Sequence, residues 1–121
     1  MTEDVSVEEL RRRVGEEGLT ILDVRSPTEF EGTFVTPCDP RHGHIQGARN
    51  VPLEELLECA SADDVRALLG LPEGVEIVAY CHVGNRSGFA VQVLSAAGYN
   101  ARNYVGSWHE WSRDPDLPSQ P

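Results

Sequence analysis

Apolar positions along the chain follow two periods. Leu19 to Val24 (LTILDV) and Val75 to Tyr80 (VEIVAY) are near-continuous apolar runs of strand length, and the stretches between them carry apolar residues at helical spacing. Ser6 with Glu9 is a capping-box pattern that predicts a short helix ending near Gly15 or Gly18. Ser26, Pro27 and Glu29 predict a second helix start. Gly32 to Gly47 is rich in Gly, Pro and His and reads as a loop, followed by a short strand at Ala48 to Val51. Pro52 opens an apolar-periodic helix, and Ser61 with Asp63 and Asp64 caps another running to about Leu71. After Tyr80 come a polar loop, a helix through Ala97 closed by Gly98, and a strand at Ala101 to Val105. Ser107 is placed to cap a last short helix holding Trp108 and Trp111, and Asp114 to Pro121 is predicted to fray.

Strands that alternate with helices and read as unbroken apolar runs predict an α/β fold with a parallel sheet covered on both faces. Ligands of such sheets bind beyond the carboxyl ends of the strands. That rule gathers Asp23 and Arg25, Cys81 to Ser87, and Gly106 to Trp108 at one edge. Neither an internal repeat nor a second domain is visible. Residues 1–121 read as one domain with its core at about 6–115 and a flexible tail at 116–121.

Charge narrows the function. The formal net charge of -10 lacks the basic face needed for nucleic acid or an anionic membrane, so any anionic ligand must be held by local donors. Met1 to Glu9 carries four acidic residues and no apolar stretch, unlike a signal peptide, and no apolar run approaches the ~18 residues of a membrane span. The three cysteines, Cys38, Cys59 and Cys81, are odd in number and widely spaced, which is not a disulfide framework. The expected location is the cytoplasm.

The chemistry concentrates in Tyr80 to Ser87 (YCHVGNRS), where a cysteine ends a buried strand, a glycine-containing loop follows, and a helix begins. Successive backbone N–H groups in such a turn form an anion-binding concavity, and the helix N-terminus adds partial positive charge. Arg86 adds a full one. A thiolate at Cys81 would be stabilised there, as would a persulfide or the oxyanion of a sulfur donor. Gly84 relieves the turn of a Cβ. A strand-end cysteine alone is more often a small buried hydrophobe; the Gly, the Arg and the strand–loop–helix setting favour the nucleophile.

These residues resemble the rhodanese-like sulfurtransferases. CHVGNRS is similar to their active-site loop, ILDVRSPTEF at Ile21 to Phe30 to their first signature, and GHIQGARNVP at Gly43 to Pro52 to their second. RNYVGSWHEW at Arg102 to Trp111 resembles the C-terminal end of thiosulfate sulfurtransferases. The resemblance implies a five-stranded parallel sheet flanked by helices. It also implies a sulfur transfer in which Cys81 takes a sulfane sulfur from thiosulfate or a similar donor and passes it to cyanide or a thiol. Arg86 would then face the substrate anion, and the amides of His82, Val83, Gly84, Asn85 and Ser87 would cradle the persulfide. No cofactor or metal is implied. The acceptor side includes a thioredoxin-like or other sulfur-acceptor protein, and the chain is expected as a monomer or a homodimer. Arg86 lies five positions after Cys81; phosphatases and arsenate reductases with a related loop place arginine at the sixth, so the spacing favours sulfur over phosphate. The alternatives are a persulfide-carrying module for a protein partner and, less favoured, a phosphatase or arsenate reductase.

Other residues have two readings each. His82 is either a cation beside the thiolate or an exposed loop histidine, the second favoured. Asp23 and Arg25 either line the pocket or, as favoured, fix neighbouring loops in support of the site. Cys38, His42 and His44 lack a recognised zinc spacing, and Cys38 reads as an inert loop cysteine or a resolving thiol for Cys81. Cys59 reads as core. Trp108 and Trp111 pack on the sheet, or Trp108 walls the pocket.

Overall fold

The computed structural model describes residues 3–34 and 37–121. Its elements, in chain order, are α1 (Val7–Arg13), β1 (Leu19–Asp23), α2 (Pro27–Glu31), β2 (His44–Ile45), β3 (Arg49–Asn50), α3 (Leu53–Leu57), α4 (Ala62–Leu69), β4 (Glu76–Tyr80), α5 (Asn85–Ala96), β5 (Asn100–Asn103), α6 (Ser107–Trp111) and β6 (Ser119–Gln120).

Four strands form a parallel sheet in the order β3-β1-β4-β5. Leu19 pairs with Glu76 and Asp23 with Tyr80, so the two apolar runs lie side by side at the centre. The sheet falls one strand short of the five expected. Beyond β5, among the described residues, there is a single parallel bridge, Val5 to Tyr104, with Val5 N–H donating to Asn103 O at 2.8 Å. Ser6 explains the brevity: its side chain already accepts from Glu9 N–H and starts α1, which leaves no length for a strand. The reciprocal half of that box does not form, because the Glu9 carboxylate is taken by Arg102 and Arg13. The complete capping box stands at Ser26 and Glu29.

Side-chain alternation along β4 sends successive residues to opposite faces. Ile77, Ala79 and Cys81 join Leu22, Val51, Leu56, Val65, Ala90 and Leu94 beneath α3, α4 and α5. Val78 and Tyr80 join Leu10, Ile45, Tyr104, Trp108, Trp111 and Leu117 on the other face, beneath α1 and α6. This parity puts the Cys81 side chain on the α5 side of the sheet.

The C-terminal segment packs back onto the domain. Leu117 is buried, and β6 pairs antiparallel with β2, His44 opposite Gln120. The Arg41 guanidinium donates to the carbonyls of Trp111, Asp114, Ser112 and Leu117, and Trp111 Nε1 donates to Pro118 O. Gly43 makes the close approach possible, since a Cβ there would lie 2.1 Å from Gln120 O. No described helix is long and apolar enough to cross a membrane.

Candidate active site

Cys81 follows directly on β4, and the loop to Gly84 leads into α5. The residue is 1% exposed, yet its sulfur faces donors rather than hydrocarbon alone. Gly84 N–H donates to Sγ at 3.1 Å, and the buried Ser87 hydroxyl donates at 3.4 Å. Burial drives the thiol pKa up, but the Ser87 hydroxyl and the N–H groups of Ser87, Gly84 and Val83 outweigh it and leave the pKa below the ordinary value.

On the other side of the loop α6 holds two carbonyls, and by fixing His82 O it turns the Val83 N–H of the same peptide toward the sulfur. Trp108 N–H donates to Cys81 O and His109 N–H to His82 O, both at 2.9 Å. Ser107 sets this geometry: its hydroxyl accepts from Cys81 N–H at 3.1 Å and donates to Tyr104 O at 2.8 Å. It is also the single described non-glycine residue at positive φ, 56°. Gly84, at φ 94°, is required by packing as well as conformation, since a Cβ there would meet Val105 O at 2.7 Å.

Arg86 is already committed. Its guanidinium forms a two-pronged pair with Glu29, Nη1–Oε1 at 2.8 Å and Nη2–Oε2 at 3.1 Å, joining the first turn of α5 to α2. Burial would raise the Glu29 pKa, but Arg86 and Ser26 hold it at about 2. The Arg86 side chain stays 36% exposed, so it sits at the rim with its charge balanced. Val83 and Asn85 are exposed.

Asp23 and Arg25 form a buried pair at 2.7 Å, and Arg25 also donates to Gly43 O at 2.6 Å. The Arg25 guanidinium lies 5.2 Å from the Trp108 ring centre and 5.7 Å from that of Tyr80. This pair fastens the β1 end to Gly43 at the start of β2. Trp108 is buried, with Nε1 donating to Arg41 O at 3.1 Å, so its ring belongs to the core and not to a pocket wall.

Residues 6–114 match the family model of the rhodanese-like domain. The chain belongs to the rhodanese-like domain family. It is 35% identical over 119 residues to a thiosulfate sulfurtransferase of Pseudomonas aeruginosa, covering 92% of this chain and 43% of that protein. It is 37% identical over 113 residues to the sulfur carrier protein TtuD of Thermus thermophilus, covering 81% and 40%. The crystal structure of a probable thiosulfate sulfurtransferase superposes with a TM-score of 0.83 at 42% identity, over 98% of this chain and 47% of that one. The chain thus spans about two fifths of the length of the curated relatives it matches.

The rhodanese-like domain brings Cys81, Val83, Gly84 and Ser87 together and sets Arg86 beside them. It draws His82 elsewhere: Nε2 lies 2.8 Å from Asp39 Oδ2 and 3.7 Å from Cys38 Sγ, in a segment read as a loop of uncertain role. Cys38 and His44 do not converge, since His44 Nδ1 donates to Phe30 O and the two rings stack at 3.6 Å. Three contributors were missed from the sequence: Glu29, Asp39 and His109. The capping box signalled a role for Glu29 at its own helix, but not its second partner 57 residues on. Nothing local marks Asp39 or His109. Ser107, expected as a helix cap, is not one: Gly106 stands at the N-cap, and the Ser107 hydroxyl serves Cys81 N–H and Tyr104 O instead.

Proposed function

We propose that the domain is a sulfurtransferase in which Cys81 cycles between thiolate and persulfide. The observation that carries this reading is the convergence of Gly84 N–H, 3.1 Å from Sγ, with the Ser87 hydroxyl on one buried sulfur. The thiolate attacks the outer sulfur of thiosulfate. The S–S bond of the donor breaks, its electron pair leaves with sulfite, and a Cys81 persulfide anion remains. An acceptor nucleophile, cyanide or a thiolate, then attacks the terminal sulfur, and the electron pair of the broken S–S bond restores the Cys81 thiolate. No net oxidant or reductant is consumed. The loop amides stabilise the anion at both stages, which is electrostatic preorganisation.

Thiosulfate as donor is supported by the similarity to thiosulfate sulfurtransferases. A thiol or protein acceptor draws support from the sulfur carrier relative. Hydrolysis of phosphoesters is disfavoured by the tight loop, in which Arg86 stands five positions after Cys81 rather than six.

Intact-mass measurement after thiosulfate treatment tests the first half-reaction. We expect a gain of one sulfur atom that is absent in Cys81→Ser and discharged by cyanide as thiocyanate. A wild-type mass unchanged by thiosulfate and by a small persulfide donor overturns the proposal.

A further inference from the structure

We propose that Cys38, Asp39, His82 and His109 form a binding site for a divalent transition metal, best matched to Zn2+, that ties the 37–42 segment and α6 to the active-site loop. One donor atom from each residue lies within 4.8 Å of all the others, and this is the group of that kind found among the described residues. Sulfur, two imidazole nitrogens and a carboxylate oxygen are a zinc-type set, whereas Mg2+ and Ca2+ want oxygen throughout.

The spacing fits. Zn–N and Zn–S bonds of ~2.0–2.3 Å give tetrahedral ligand–ligand edges of roughly 3.3–3.6 Å. Cys38 Sγ to His82 Nε2 is 3.7 Å, and His109 Nδ1 to Asp39 Oδ1 is 3.4 Å. The 2.8 Å contact of His82 with Asp39 Oδ2 is a hydrogen bond that coordination would replace, opening it by about half an ångström. A second observation points to a ligand: His109 Nδ1 is shielded from solvent and has no hydrogen-bond partner, although the side chain as a whole is 43% exposed and Asp39 Oδ1 stands 3.4 Å away. A buried ring nitrogen without a partner is costly, and a metal would satisfy it.

Charge balances at the centre. A Cys38 thiolate and the Asp39 carboxylate neutralise a dication, with the Cys38 proton released to solvent on binding. Arg113 faces this group, with Nη1 3.4 Å from Asp39 Oδ1. Its other bonds go to the carbonyls of His109 and Cys38, so it also holds the two ligand-bearing segments in place.

Cobalt substitution on the whole reduced chain tests the site, with Zn2+ affinity read by competition against a chromophoric chelator. We expect one equivalent of Co2+ with strong tetrahedral visible bands and a thiolate-to-cobalt charge-transfer band. Cys38→Ser should abolish the charge-transfer band, and His109→Ala should weaken Zn2+ binding at least about tenfold with unchanged circular dichroism. Cys81→Ser and Cys59→Ser should keep the band. The proposal is overturned by the absence of stoichiometric binding at micromolar metal, by a band that survives Cys38→Ser, or by one that disappears in Cys81→Ser.

Discussion

Cys59 and Cys81 place the same thiol at opposite kinds of helix end. Cys59 follows the C-terminus of α3, where Sγ donates to Glu55 O at 3.4 Å. Burial, followed by the carboxylates of Asp64, Glu58 and Glu55, pushes its pKa up. Cys81 precedes the N-terminus of α5, where N–H groups and a hydroxyl point at sulfur and the pKa comes down, although this residue is the more deeply buried. Burial raises both thiols; what separates them is the company each keeps, carboxylates at Cys59 against the Ser87 hydroxyl and three N–H groups at Cys81.

The largest effect that would break this contrast is on the nucleophile itself. Cys81→Ser should cut thiocyanate formation by about 10³-fold or more, as loss of a nucleophile does. Cys59→Ser should leave it within about twofold, since nothing around that thiol stabilises an anion. Equal losses in the two variants would end the distinction.

Gly84→Ala comes next. It keeps the sulfur but forces a Cβ onto Val105 O and strains a positive-φ position, at a cost of about 1–2 kcal/mol before the clash is counted. The amide 3.1 Å from Sγ must move, and sulfur transfer should fall about 10–100-fold with the fold retained. Full activity with a normal melting temperature would show that this amide is dispensable.

Ser87→Ala sharpens the contrast without moving backbone. With the hydroxyl gone, the Cys81 pKa should rise toward that of an ordinary thiol. The alkylation rate of Cys81 by iodoacetamide climbs with pH as thiolate forms, so its inflection should shift to higher pH in the variant. An unmoved inflection would assign the whole effect to the amides.

Arg86→Ala and Glu29→Gln separate two roles for the rim pair. If Arg86 receives the donor anion, Arg86→Ala should raise KM for thiosulfate several-fold more than for a neutral persulfide donor, and Glu29→Gln should lower it. Parallel losses for both donors in both variants would mean that the pair only braces α5 against α2.

The smallest expected effect is on stability. The Glu29 pKa is about 2 when folded, below the ~4.3 of a free glutamate. A group depressed in this way contributes stability above its unfolded value and loses it as pH falls toward the folded one. Between about pH 4.5 and 2 the wild type should lose more than Glu29→Gln, by about 1 kcal/mol or less because Arg86 is partly exposed. Melting curves across that window measure the difference.

Local signals carried much of this picture. The two apolar runs became the central strands, and Ser61, Ser26 and the Cys81–Ser87 segment stand where their spacing put them. What escaped was non-local. Leu117 sits among Asp, Pro and Ser with no periodicity, and only its fit beside β2 makes it core. The missing fifth strand reflects competition at Ser6, where the helix cap wins over extension. Arg86 reads as a free cation until Glu29 is folded against it. Asp39, His82 and His109 lie on three separate elements, and nothing in their sequence spacing announces that they meet.

The fastening of Cys81 O and His82 O to the first turn of α6 makes that helix a lever on reactivity. Tilting it would swing both peptide planes and turn the Val83 N–H, which shares its plane with His82 O, off the sulfur, dimming the nucleophile without touching it. The chemical temper of this loop is thus set from behind, through the rear of its own backbone.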